Sequence, residues 1–370
     1  MEFAQEAITT LHAFDDPEPR VRGDRIAVVV PIMGDDLSRS TITHVLSSLG
    51  DVYLGRVILC VRADRSAVVQ LQQQLDALSL DADLLWCNAP ALESALEQDG
   101  VTAATGKGKD VWLGMGVAAT THDIIVVHDA DSRAYQPSHV PRLAWPIDQG
   151  FEFAKGYYAR IEDRRFYGRL VRLVWYPLLD VLRRRHTAPI VQYLSAFRYP
   201  LAGEFAIDAS HIDTLQMYPQ WGLETGMLAH MYDLAGFTGT AQVDLGHHRH
   251  DHRPVRGDSG LTDIAQCVVD TLLSELQSKE IAIDRTSLAT AYEDAAASFV
   301  ERYEHDATFN GLAYDRHDEL DQVQSYAATI TANESTNQPL PPFPEVHLTA
   351  DDVERYSQAP DGRQGARRTP

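Results

Sequence analysis

Two aspartates separated by one residue, Asp129-Ala130-Asp131, follow the apolar run Ile124-Ile125-Val126-Val127 after a single histidine. In extended backbone, residues two apart point the same way, so both carboxylates can face one site. Such a pair of hard oxygens leaves room for phosphate oxygens. It suits Mg²⁺ or Mn²⁺, which takes one or two protein carboxylates and completes its shell from substrate and water. The same spacing also describes a solvated turn, and its place at a strand end is what favours the metal. A second feature, Thr105-Gly106-Lys107-Gly108-Lys109, introduces a helical pattern but lacks the Walker frame. Its glycines would let backbone approach a phosphate or sugar, and its ammonium would neutralise anionic charge. The third, Gly246-His247-His248-Arg249-His250-Asp251-His252-Arg253, carries four imidazoles in six residues. Zinc spacings and a HExxH helix are absent. One imidazole brought to the aspartates would complete a divalent site, with neighbouring His or Arg facing a diphosphate. The plainer reading is an exposed histidine loop.

These groups need elements to position them. The run Ile26-Ala27-Val28-Val29-Val30-Pro31-Ile32 ends in Gly34-Asp35-Asp36, as a buried parallel strand delivers a loop at its carboxyl end. Helical spacing from Ser40 to Leu49, the run Val57 to Val61, a helical pattern from Ser66 to Leu80, Leu84-Leu85-Trp86, and a helix from Lys109 to Ala119 lead to Ile124–Val127. Alternating strands and helices predict a doubly wound, mostly parallel α/β sheet that binds ligands at its carboxyl edge. Beyond Phe151 the pattern is mixed, with a helix predicted from Trp175 to Arg185 and a late strand at Gln242–Leu245. From Leu261 to about Ala332 it reads as helices, including Ile264–Leu276 and Leu288–Tyr303. After Asn333 the composition turns to Pro, Ser, Gln and charge, which predicts a mobile tail.

Composition limits the partners. The 370 residues carry a formal net charge of −21, and a surface this acidic repels phosphate backbones and anionic lipid, so neither nucleic acid nor membrane is expected. No apolar run is long enough to span a bilayer, and no basic-then-apolar leader is visible, so a cytoplasmic location is expected. Cys60, Cys87 and Cys267 are scattered and read as small buried hydrophobes. Lysine is confined to Lys107, Lys109, Lys155 and Lys279, a balance of many acids and few lysines that suggests a saline habitat. Against that background, Lys107, Lys109 and Lys155 read as charges required locally.

A set of motifs in a fixed order carries a resemblance: Pro31 with its acidic loop, Gly106-Lys107-Gly108, Asp129-Ala130-Asp131, Lys155-Gly156-Tyr157-Tyr158, Gly168-Arg169-Leu170, Pro200-Leu201-Ala202-Gly203-Glu204, Trp221-Gly222-Leu223-Glu224-Thr225-Gly226 and Gln242-Val243-Asp244-Leu245. The chain resembles the glucosyl-3-phosphoglycerate synthases and their mannosyl relatives, which are retaining GT-A glycosyltransferases, from about Arg25 to Leu276. Together with the pattern along the chain, this divides it into an N-terminal segment (1–24), a nucleotide-sugar half (25–135), an acceptor half (136–260), C-terminal helices (261–332) and a tail (333–370). The resemblance implies a nucleotide diphosphate sugar donor held by Pro31, Ile32, Met33, Asp35, Asp64, Lys107, Asp129, Ala130, Leu201, Trp221 and His248. It implies Mg²⁺ or Mn²⁺ on Asp131 and His250, and 3-phosphoglycerate on Gly168 and Arg169 with Lys155 and Tyr157 nearby. Asp131, Lys107 and Glu224 would carry the chemistry, in a chain that is commonly a homodimer in the family. Three positions depart from the family pattern: Gly34-Asp35 for Asn-Glu, His248 for Arg, and Val171 for Thr. A hydrolase with two flanking carboxylates explains neither the Gly-Lys-Gly loop nor the metal set. The remaining alternatives are mannose or another small acceptor such as glycerate, and a sugar-nucleotide-binding protein without turnover.

Overall fold

A computed structural model describes residues 6–13, 19–37, 39–78, 80–102, 105–249, 260–332 and 338–358. The strands are β1 (Thr9–Leu11), β2 (Ile26–Met33), β3 (Arg56–Arg62), β4 (Asp83–Trp86), β5 (Ile124–Val127), β6 (Phe153–Ala159), β7 (Ile161–Glu162), β8 (Arg165–Phe166), β9 (Phe205–Asp208) and β10 (Thr240–His247). Between and after them run α1 (Ser40–Gly50), α2 (Arg65–Leu78), α3 (Pro90–Gln98), α4 (Lys107–Ala118), α5 (His139–Asp148), α6 (Tyr176–Arg185), α7 (Pro189–Ser195), α8 (Leu223–Leu234), α9 (Leu261–Ser278), α10 (Arg285–Phe309), α11 (Arg316–Thr331) and α12 (Ala350–Tyr356).

Eight strands form one sheet in the order β1-β10-β6-β9-β5-β2-β3-β4. All are parallel except β9, which runs antiparallel to β5 and β6. Val28, Val29 and Val30 of β2 are wholly buried, as a central strand covered on both faces requires. From β2 the chain winds out through β3 and β4, then crosses back to β5 on the other side of β2. The loops leaving β2 and β5 therefore diverge, and the crevice between them is where such sheets bind ligands. Helix α4, buried along nearly its whole length, packs on β2 and β3 and brings its first turn to that crevice.

The predicted mobile tail is corrected in part. Residues 338–358 are folded onto the first half of the chain: Pro341 O accepts from Trp112 Nε1 at 2.9 Å, the Phe343 ring lies 5.1 Å from that of Trp112 at a tilt of 58°, and Ser357 O accepts from Trp86 N at 3.2 Å. Leu340, Phe343 and Val353 are the buried anchors. They are spaced too irregularly to read as an element, yet each removes an apolar side chain from water. Residues 333–337 and 359–370 lie outside the described residues. No described helix is long and apolar enough to cross a membrane.

Candidate active site

The Gly-Lys-Gly loop is the first turn of α4, and its backbone lies directly on the segment before α8. A Cβ on Gly108 would stand 1.9 Å from Tyr218 O, so only glycine fits, and Lys109 N donates to Pro219 O at 3.1 Å. This seating aims Lys107 at two acids from different parts of the fold. Its Nζ lies 2.6 Å from Asp129 Oδ1, after β5, and 3.0 Å from Glu224 Oε1, in the first turn of α8. Burial works against the ammonium, but Asp129 and Glu224 outweigh it and hold the Lys107 pKa well above the ordinary lysine value. Lys107 is therefore charged across the neutral range. Gly203 backs the pair: a Cβ there would stand 2.2 Å from Asp129 Oδ2 and 2.6 Å from Lys107 Nζ.

Beneath this pair lie two buried ionisable groups. Glu204, at the entry to β9, is 4% exposed, and burial first, then the Asp129 and Asp131 charges, push its carboxyl up to about 8. Lys155 of β6 donates to Ala202 O, and burial lowers its ammonium to about 8. Glu204 feels both aspartates, so the two carboxylates of the Asp-x-Asp loop bear on one place. The local balance is acidic: Asp129 and Glu224 hold Lys107, and Asp131 is near enough to raise the Glu204 carboxyl. Hard carboxylate oxygens gathered after β5 are the donor chemistry a dication would complete.

His250, the other predicted metal ligand, lies outside the described residues. Residue 249 stands beside the loop that carries Asp131, because Arg249 O accepts from Arg133 N at 2.7 Å. His248 is buried, its ring stacked 4.1 Å from Tyr158 at 15°, with its backbone N–H donating to Ala159 O. Among the described residues, no group of three or more His, Cys, Asp or Glu forms a metal-binding cluster.

Of the remaining predicted donor residues, those from Pro31 to Asp64 lie at the carboxyl edge of β2 and β3. Pro31, Ile32 and Met33 pair with Cys60, Val61 and Arg62, and Asp35 is exposed in the turn that follows. Asp64 accepts from Ala67 N at 2.9 Å and caps α2. Ala130 is buried, Leu201 half-buried, and Trp221 is 49% exposed just before α8.

On the acceptor side, Gly168 O accepts from the backbone N–H groups of Val171 and Arg172 and opens a wide π-helical turn, Leu170–Trp175, that runs into α6. Such turns are rare and frequent at functional sites. Arg169 stands at its start and faces Asp318 and Glu319 of α11. Lys155 and Tyr157 do not join this loop. Lys155 belongs under Lys107, and Tyr157 turns to Arg198, whose guanidinium lies 5.2 Å over its ring. The next residue, Tyr158, takes the other face of β6 and contacts Tyr199, ring to ring at 4.9 Å, while Tyr199 OH accepts from Arg160. Sequence reasoning gave no role to Glu204, Tyr158, Tyr199 or Arg160. Only Glu204 had a visible signal, a lone charge at the head of the apolar run Phe205-Ala206-Ile207.

A crystal structure of Mycobacterium tuberculosis glucosyl-3-phosphoglycerate synthase with Mn²⁺, UDP-glucose and phosphoglyceric acid superposes with a TM-score of 0.56 and 27% identity, over 73% of this chain and 88% of that one. A second, with Mg²⁺ and UDP, gives 0.54 and 27% over 72% and 86%. The sheet and its acidic crevice are those of a GT-A glycosyltransferase. The glucosyl-3-phosphoglycerate synthase of Methanococcoides burtonii is 32% identical over 356 residues, 89% of this chain and 88% of its own length, and that of Persephonella marina is 28% identical over 323 residues. The chain belongs to the glucosyl-3-phosphoglycerate synthase family. No family model matches the sequence.

Proposed function

We propose that this chain transfers glucose from UDP-glucose to the single hydroxyl of 3-phosphoglycerate, with retention at the anomeric carbon. The observation that carries the reading is the Lys107 ammonium held between Asp129 and Glu224 at the switch point of the sheet. The donor diphosphate would enter there and give Lys107 a new partner, leaving Glu224 free to accept from sugar hydroxyls. Fixed positive charge at the place where negative charge develops lowers the barrier to departure of the nucleotide. Asp131 and His250 are the residues that would hold Mg²⁺ or Mn²⁺, which when bound supplies further neutralisation of the diphosphate. The anomeric carbon's bond to the diphosphate oxygen breaks, its bond to the acceptor oxygen forms on the same face, and the hydroxyl proton passes to the departing phosphate. Arg169, opening the π-helical turn, would meet the acceptor's anionic groups.

The test is release of UDP from UDP-glucose by the purified chain, with and without 3-phosphoglycerate and with and without EDTA. Release is expected only with acceptor and is expected to stop on chelation. Equal release without acceptor, or turnover with GDP-mannose or glycerate alone, would replace this reading with another donor or acceptor. Tight UDP-glucose binding without release under any condition would mark a binding protein.

A further inference from the structure

The Gly168–Arg169 loop and the β7–β8 hairpin that precedes it are both held by the C-terminal helices. On one side the β7–β8 hairpin, whose Asp163 and Arg164 take the left-handed φ values of 46° and 57°, pairs with the α10–α11 connection: Ala313 N donates to Arg164 O at 2.7 Å, and Arg164 Nη2 donates to Gly311 O at 2.5 Å. On the other side, α11 presents two adjacent acids with different surroundings. Glu319 is 4% exposed and takes both Arg172 nitrogens, Nη1 at 2.8 Å and Nη2 at 2.9 Å, with Tyr314 OH donating to it as well at 3.1 Å. The Oε1 that accepts from Arg172 also accepts from Arg169 Nε at 3.3 Å. Asp318 accepts from Arg169 Nη2, but its side chain is 54% exposed.

The two contacts differ in kind. A buried, bidentate, fully hydrogen-bonded carboxylate holds its arginine in one geometry, and removing it leaves a charge stranded in the interior. An exposed carboxylate on the outer nitrogen of the neighbouring guanidinium is weak and exchangeable. We propose that α11 completes the acceptor site: Glu319 is a positioning residue that fixes Arg172 and Arg169, and Asp318 is a resident carboxylate on Arg169 that an anionic acceptor displaces. This rests on the function proposed above in assigning the acceptor to Arg169. Exchange of one carboxylate for another leaves the local charge balanced, whereas a neutral acceptor has nothing to offer the guanidinium in return. The device thus favours acceptors that carry a carboxylate or phosphate.

The experiment is calorimetric titration of the full chain, with UDP and Mn²⁺ present, by 3-phosphoglycerate and separately by inorganic phosphate, alongside steady-state constants for donor and acceptor. Asp318→Asn keeps the shape and removes the competing charge. It is expected to tighten 3-phosphoglycerate binding about three- to fivefold, the upper part of the range of an exposed ion pair, with the donor constant unmoved. Glu319→Gln is expected to weaken it about tenfold or more, again without a change in the donor constant. A merely structural role for α11 would not make any variant bind more tightly, so Asp318→Asn decides the matter even if Glu319→Gln fails to fold. Wild-type turnover of 3-phosphoglycerate with Asp318→Asn binding it no tighter overturns the role of α11 alone. Binding without turnover, tightened by Asp318→Asn, overturns the proposed reaction and leaves α11 in place. Wild-type protein that binds neither anion overturns both.

Discussion

Lys107 is one of only four lysines in the chain, and it is held by two acids from different elements, Asp129 and Glu224, rather than one. That arrangement settles its charge state. Burial disfavours the ammonium, the two carboxylates outweigh burial, and the pKa rises above the usual lysine value, so no pH between 5 and 9 removes the charge. Replacing Lys107 by Met should lower kcat by about 10²- to 10³-fold, the magnitude of losing one fixed charge or donor at a departing group. The loss should be present at pH 6 and at pH 8.5, since Lys107 does not titrate in that interval; its size is read at pH 6, below the values of about 8 at which Glu204 and Lys155, both in the field of Lys107, titrate. A kcat within threefold of wild type at both pH values would remove Lys107 from the chemistry. The sequence exposed this residue through lysine scarcity and flanking glycines. It could not tell which of Tyr157 and Tyr158 meets Tyr199 and His248, because neighbouring residues of a strand face opposite ways and only the register against β10 and β9 decides which side each takes.

Among the elements, α8 and α9 are tied to the Gly-Lys-Gly loop through one network. Tyr218, whose carbonyl supports Gly108, donates through its hydroxyl to Glu275 Oε1 of α9 at 2.8 Å, and His230 of α8 lies 3.2 Å from the same oxygen, its Nδ1 2.7 Å from Gln216 O. Burial lowers the His230 pKa, but the Glu275 hydrogen bond and charge and the Gln216 carbonyl outweigh it, and the net shift is upward. A raised folded pKa means that the stability His230 contributes is fully present below about pH 6.5, the unfolded value, and is lost as pH rises through the folded one. Thermal unfolding of wild type should therefore show a falling Tm above about pH 6.5 that His230→Gln flattens. Parallel pH profiles for the two proteins would show that the imidazole carries no linked proton. The elements themselves were unevenly legible. Central strands such as β2 are apolar throughout because both faces are covered, so they stand out in the sequence. Strand β9, four residues long and preceded by a buried Glu, does not, since short apolar runs carry no period to read. The docked tail was hidden for another reason: its anchors Leu340, Phe343 and Val353 find their partners only once α4 is in place.

At the scale of the molecule, the question is what a net charge of −21 requires of its surroundings. Spread over an accessible surface of 17791 Å², it leaves about 850 Å² per net charge, a mean spacing of roughly 29 Å. The screening length is about 30 Å at 0.01 M salt, about 8 Å at 0.15 M and about 3 Å at 1 M, so the average repulsion is already removed near 0.15 M. Further salt relieves only acids crowded closer than that, and it weakens exposed pairs such as Arg22 with Asp24 and Arg184 with Asp180 at the same time. Acid content alone therefore does not demand molar salt. In a KCl series from 0.01 to 3 M, most of the gain in Tm should fall below about 0.15 M, with a plateau beyond. A Tm that goes on climbing above about 1 M would instead mark carboxylates clustered within a few ångströms that bind or require cations. The same series run with 3-phosphoglycerate has a separate expectation. An anionic acceptor approaching an acidic surface gains from screening in its encounter, but loses at Arg169, where salt competes for the guanidinium. Affinity should pass through a maximum at intermediate salt, and a monotonic fall from the lowest concentration would mean that the exchange at the Arg169 guanidinium outweighs the repulsion of the acidic surface.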